Sequence, residues 1–237
     1  MRTTEKLNFK GQVSESEQVR QLQLELRNAQ MNQHFVFNVL VSIEYYLVKN
    51  NAQSAREYLV KFSKLIRQTL NNSRRKYISL EEDLSTLKHY IELELFRLGN
   101  NHQFDILVCD QTDPSAILTQ PLLIQPFVEN AIKHGLKRKN KTCHLLVKIS
   151  LVNDELFCTV EDDGVGRDKK LVQMNHVCSG ISITQERLQY LHDRFQSRYV
   201  FEINDLLDDE GKPSGTRVHF TLPFQLKQNV EMRDQGI

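Results

Sequence analysis

A chain of 237 residues has room for one domain with a helical appendage, or for two small domains that each bury a core. Lysine and arginine (31) nearly cancel aspartate and glutamate (30), which argues against a nucleic-acid or membrane surface as the main partner. Cys109, Cys143, Cys158 and Cys178 show no Cys-x-x-Cys spacing, and no apolar run approaches the roughly 20 residues of a membrane span, so a soluble cytoplasmic chain with reduced thiols is expected. A zinc site on Cys143 and His144 is the weaker reading.

From Val19, apolar residues recur at alternating steps of three and four, through Leu22, Leu26, Ala29, Val36, Leu40, Ile43 and Leu47, with Gln33 as the one polar interruption. This spacing predicts a long helix with a coiled-coil seam. After a polar break at 49–53, Ala55, Tyr58, Leu59, Phe62, Leu65, Ile66 and Leu70 share the face of a second helix. The two helices should fold back as a hairpin. A lone hairpin leaves apolar surface in water, and pairing two copies into a four-helix bundle covers it, so a homodimer is expected. His34 stands next to Gln33, on the side turned away from the helix partner, where a neutral imidazole nitrogen can act as a nucleophile. Read alone, such a histidine is more often simply solvated.

Ser79 and Glu82 form a capping box ahead of a third helix, which runs to about Leu98 and ends at Gly99. The pattern then changes to strands over 104–109, 144–151, 156–161, 199–205 and 216–222, with helices predicted at 121–136 and 181–195. The expected architecture is α+β, with a boundary near 74–79.

Three segments of the second part can carry chemistry. LLIQPFVENAIKHG, ending at Gly135, puts Asn130, Lys133 and His134 opposite an apolar face; an amide oxygen can hold Mg²⁺, and Lys133 and His134 can lie against phosphate oxygens. VEDDGVG places Asp162 at a strand end, where a carboxylate can accept from an exocyclic amino group, with Gly164 and Gly166 permitting close approach of backbone. A calcium loop is the weaker reading, because the ligand spacing of an EF-hand is missing. A polar stretch then leads to Gly180 and a helix whose first amides can donate to phosphate. Each segment alone also reads as an ordinary surface feature.

Taken in order, four motifs resemble the histidine kinases of the LytS type: QMNQHFVFN its phospho-acceptor motif, QPFVENAIKHG its N-box, and VEDDGVG and SGISITQERLQYL its two G-boxes. GTRVHFTLP resembles the family's last strand, and the likeness runs from about Leu22 to Pro223. The resemblance implies a helical hairpin that forms a dimeric four-helix bundle, followed by a GHKL-type ATP-binding α/β sandwich, a mixed sheet with helices on one face. By that implication residues 1–18 are an input segment, 19–76 the dimerisation and phospho-acceptor hairpin, 77–223 the catalytic domain and 224–237 a tail. His34 takes the γ-phosphoryl group of ATP; Asn130 holds Mg²⁺; Lys133 and His134 face the phosphates; Asp162 reads adenine; Gly164, Gly166, Gly180 and Thr216 line the nucleotide. The phosphoryl group passes to an aspartate of a response regulator, in this family often one with a LytTR DNA-binding domain, and the kinase itself touches no nucleic acid. A membrane sensor upstream of this chain is compatible with that reading.

Three positions depart from the family pattern: Gln33 replaces the proline before the acceptor histidine, Asp163 the asparagine after Asp162, and Ser182 a lid glycine. They keep open a second reading, a degenerate ATP-binding dimeric scaffold that regulates a partner kinase or response regulator. An ATP hydrolase is disfavoured, because Pro126 occupies the place of the glutamate that activates water, one helical turn before Asn130.

Overall fold

The computed structural model describes residues 37–99, 102–110, 112–136, 142–167 and 179–228. The predicted seam ahead of residue 37, with Gln33 and His34, lies outside them, as does the polar stretch 168–178. Two compact units divide the chain, Met1–Leu40 and Val41–Ile237. Of the first, residues 37–40 are described, and they are helical.

Helix α1 covers residues 37–48. Asn50 then takes φ +53°, and the Asn51 side chain accepts from the Ser54 amide to cap α2 (Ala52–Ser73), so the break expected at 49–53 is a turn between two helices. Helix α2 buries Ala55, Tyr58, Leu65, Thr69 and Asn72. Leu59 and Leu70, expected on the same face, are half exposed. Strand β1 (Ile78–Ser79) leads into α3 (Leu80–Leu98), where both halves of the Ser79/Glu82 capping box form and Gly99 closes the helix at φ +99°. The helices α2 and α3 run antiparallel. Near their connection Asn72 Nδ2 donates to Thr86 Oγ1 (3.0 Å), and at the far end the Tyr58 and Phe96 rings meet at 5.7 Å. Tyr46 of α1 joins this end by donating its hydroxyl hydrogen to the Phe96 carbonyl.

The rest of the chain adds β2 (Gln103–Val108), β3 (Ile117–Thr119), α4 (Gln125–Asn130) with a π turn at Ala131–Gly135, β4 (His144–Val152) and β5 (Glu155–Asp162), then α5 (Ser179–Phe195), β6 (Phe201–Leu207), β7 (Pro213–Leu222) and β8 (Phe224–Leu226). Five strands form a mixed sheet in the order β2-β4-β5-β7-β6, in which β2 and β4 run parallel and the other neighbours antiparallel. The tight β4–β5 turn uses Asn153 and Asp154, both at positive φ, as a two-residue hairpin requires. Alternate residues of the central strands, Leu145, Val147 and Ile149 with Leu156, Cys158 and Val160, are buried, and Phe220 meets Phe127 of α4 at 4.4 Å. The opposite face carries polar pairs: His144 with Asp105, Arg217 with Glu161, and His219 stacked on Phe157. The expected mixed sheet, with helices on one face, is thus the fold found.

Two findings correct the sequence reading. The helix expected over 121–136 is α-helical only from Gln125 to Asn130, then widens into a π turn at Ala131–Gly135. Leu122, at φ +65°, breaks the helical backbone ahead of Gln125, and Pro126, which lacks an amide hydrogen, fits the first turn of a helix but not its interior. A second, three-stranded sheet, β1-β3-β8, was not expected, since strands of two or three residues carry no readable alternation. It fixes Ile78, fully buried, and Ser79, and leaves 74–77 to connect α2 with β1, all within the unit Val41–Ile237.

Candidate functional site

Asp162 is the last residue of β5 and is only 3% exposed. Three glycines close around it. A Cβ on Gly135 would lie 2.3 Å from Asp162 Oδ1, one on Gly164 2.6 Å from the same oxygen, and one on Gly215 2.0 Å from the Asp162 carbonyl oxygen. None has room for a side chain. Gly164 also donates its amide hydrogen to Asp162 Oδ1 at 3.0 Å, and Val165 donates to the Gly135 carbonyl, so the turn after β5 is pinned to the end of the π turn. A buried carboxylate is packed here against three glycines, one of which donates its amide hydrogen to it.

Of the residues picked out from sequence, Thr216 is the register partner of Asp162 on β7, and Gly164 belongs to the cradle. Gly166, at φ +70°, instead packs against Pro213, and Gly180 lies in the first turn of α5. Asn130 ends α4 half buried; Lys133 and His134 lie in the π turn, Lys133 exposed and His134 half buried. The π turn ends at Gly135, so one continuous element carries Asn130, Lys133 and His134 and terminates against Asp162. A π turn within an α-helix often marks a functional site, because it re-aims the side chains that follow. His34 lies outside the described residues.

Gly135 and Gly215 were missed as site residues although both stand in quoted motifs, one closing the N-box and one opening GTRVHFTLP. Their signal was present: a lone glycine at the end of an apolar segment asks for close backbone approach. Asp163 is tied elsewhere. Its Oδ1 accepts the His144 amide hydrogen at 2.8 Å and its own amide donates to the His144 carbonyl, which extends the β4–β5 ladder by one pair. Glu129, next to Asn130, is turned toward α3: burial raises its carboxyl above the usual range, Lys133 opposes the shift and Glu94 of α3 adds to it.

Beyond the glycine turn, Arg167 donates to Asp205 Oδ1 at 2.6 Å and to the Ile203 carbonyl, anchoring the described end of that loop to β6. Ahead of α4, Asp83, in the first turn of α3, accepts the Leu122 amide hydrogen, while Arg187 of α5 donates to the Gln120 side chain and the Pro121 carbonyl. Neither residue was picked out from sequence, where an acidic first turn and a helix arginine are unremarkable. Among the described residues no group of three or more His, Cys, Asp or Glu is placed to hold a metal ion, and no helix is long and apolar enough to cross a membrane.

Comparison with known proteins gives two family matches. Residues 22–102 match the histidine kinase family, and residues 121–226 match the family of histidine kinase-, DNA gyrase B- and HSP90-like ATPases. Sensor protein LytS of Staphylococcus epidermidis is 30% identical over 219 residues, 92% of this chain and 35% of that protein. Sensor protein LytS of Staphylococcus saprophyticus is 32% identical over 218 residues, 89% of this chain and 35% of its own length. The chain therefore spans about a third of the length of these relatives. Among solved structures, the histidine kinase domain of a blue-light activated kinase from Erythrobacter litoralis aligns at a TM-score of 0.45 and 17% identity, over 75% of this chain and 82% of that one.

Proposed function

The chain belongs to the histidine kinases of the LytS type, its α/β part being of the ATP-binding kind shared with DNA gyrase B and HSP90, and from that premise we propose that it is the catalytic core of a two-component sensor kinase. In this reading it binds ATP with Mg²⁺, becomes phosphorylated on His34 and passes the phosphoryl group to an aspartate of a response regulator.

The seat of Asp162 carries the proposal. A buried carboxylate whose neighbours are three glycines without room for a Cβ suits a flat heterocycle, which can donate an amino hydrogen to the carboxylate while lying against bare backbone. Thr216 lies beside that seat on β7, with Gly164 and Gly166 in the turn after β5 and Gly180 in the first turn of α5. Asn130 would hold Mg²⁺, and Lys133 and His134 would meet the phosphate oxygens. When bound, the ion offsets negative charge on the phosphates. The neutral ring nitrogen of His34 forms the new N–P bond as the bond from the γ-phosphorus to the bridging oxygen breaks; ADP leaves, and the imidazole proton goes to solvent. Phe35 follows His34, so the chain supplies no acid or base from that position.

Residues 19–76 are proposed as the dimerising, phospho-accepting hairpin, 77–223 as the catalytic domain, 1–18 as the input segment and 224–237 as a tail. The exposed apolar stripe on α2 supports a homodimer. The regulator is proposed to be of the LytTR type, and the chain to be the cytoplasmic part of a membrane-bound sensor, in keeping with the greater length of its relatives.

Incubation with γ-labelled ATP and Mg²⁺ tests the proposal. Acid-labile label is expected on the wild type and absent from His34→Gln and Asn130→Ala. A wild type that binds nucleotide yet stays unlabelled would move the scaffold reading ahead.

A further inference from the structure

The turn that joins β3 to α4 is held in a conformation its residues do not favour. Leu122 has φ +65°, a left-handed backbone that a branched side chain resists. Two charged side chains from separate helices keep it there. From α3, Asp83, 5% exposed, accepts the Leu122 amide hydrogen at 3.1 Å. From α5, one terminal nitrogen of Arg187 donates to Gln120 Oε1 at 3.1 Å and to the Pro121 carbonyl at 3.4 Å. Burial pushes the Asp83 carboxyl up to about 6, while the Leu122 amide and the Arg187 charge pull the other way. A buried carboxylate is a costly way to hold one backbone amide, and a neutral side chain could do as much.

We propose that Asp83 and Arg187 are positioning residues: together they clasp Gln120–Leu122 and thereby fix the leading end of α4, on which the placement of Asn130 depends. The inference rests on the reading of Asn130 as the residue that holds Mg²⁺ with ATP. The trailing end of the same element is fixed independently, by Gly135 against Asp162 and by the Val165 amide on the Gly135 carbonyl. A helix held at both ends keeps Asn130 in place; released at the leading end it pivots about Gly135, so Asn130 moves while the Asp162 seat does not. The clasp also joins α4 to α5, the helix after the polar loop, and to the first turn of α3, which the Ser79 cap ties to β1.

The experiment is calorimetric titration of the whole chain with MgATP and, separately, with ADP in EDTA, for wild type, Asp83→Ala, Asp83→Asn and Arg187→Gln, each checked by a thermal melt. Asp83→Ala and Arg187→Gln are expected to weaken MgATP binding about tenfold and to leave metal-free ADP within about twofold of wild type. Asp83→Asn keeps an acceptor for the Leu122 amide, so it is expected to recover most of the MgATP affinity. Folded variants that bind MgATP as wild type does, or that lose both ligands equally, overturn the clasp. Should Asp83→Ala fail to fold, Arg187→Gln decides by the same comparison. A wild type that binds neither ligand overturns the nucleotide reading itself, an outcome distinct from failure of the clasp alone.

Discussion

A methyl group on Gly135 would lie 2.3 Å from Asp162 Oδ1, and the carboxylate it strikes is buried and hydrogen-bonded to the Gly164 amide. Gly135→Ala should therefore displace Asp162, cost about 1–3 kcal/mol of stability through overpacking, and lower nucleotide affinity at least tenfold. Calorimetry and a thermal melt check this; an alanine variant that binds ATP as wild type does would show that Asp162 has no part in the site. Asp83 makes a different prediction, with a sign of its own. Its carboxyl is pushed up to about 6 in the folded chain, against 3.8 for an unhindered aspartate. The unfolded chain thus gives up its proton first as pH rises. The contribution of Asp83 is whole below pH about 4, is lost as pH climbs to about 6, and above that leaves a deficit on the order of 3 kcal/mol. Asp83→Asn should accordingly melt higher than wild type at pH 7.5, with the gap closing toward pH 4. A gap that does not change with pH would remove the buried charge from the account. Such a trade, stability given up for position, is expected where a residue serves a site. The glycines of VEDDGVG announced themselves in the sequence because close approach requires that residue type, whereas Asp83 did not: one more acid in a helix's first turn looks like a response to the helix dipole, and only its burial sets it apart.

The best-read element was α3, since a capping box and a terminal glycine are local chemistry that survives without tertiary context. Ser79→Ala removes the acceptor of the Glu82 amide and should cost about 1 kcal/mol, visible as a shifted urea midpoint with unchanged slope. A shift within error would mean that β1, which holds Ser79 by pairing with Leu118 of β3, already fixes the turn. Strands β4, β5 and β7 were legible for a similar reason, their alternation lasting long enough to count. Helix α4 was misread because apolar residues at 122–124 continue the helical period while the backbone at Leu122 turns the other way, and the clasp on this turn comes from Asp83, 39 positions from Leu122, and Arg187, 67 positions from Gln120. The strands β1, β3 and β8 were missed because their pairing is fixed by the fold around them and not by two or three side chains. The start of α4 and the three short strands escaped the sequence because contacts far apart along the chain decide them.

Both helices of the hairpin leave apolar side chains in water. Val41, Tyr45 and Val48, at steps of four and three on α1, are 62%, 58% and 75% exposed, and Leu59 and Leu70 on α2 are 48% and 50% exposed. The face of α2 that packs on α3 uses Tyr58, Leu65 and Asn72, so the exposed stripe is left over after the hairpin has met its own domain. Covering a leucine is worth roughly 1.5–3 kcal/mol, and a two-fold pairing covers each of these positions twice. The double variant Leu59→Glu with Leu70→Glu should raise the dimer dissociation constant by at least about a thousandfold, since four buried carboxylates would replace four leucines. Light scattering reads the mass directly. The proposed nucleotide seat at Asp162 uses no residue of α2, so MgATP binding by the variant should match that of wild type, and the loss should be confined to assembly and to whatever part of the proposed phosphorylation of His34 requires a second copy. A double variant that remains dimeric would move the interface off α2, and a wild type already monomeric at micromolar concentration would leave the stripe for a partner other than this chain.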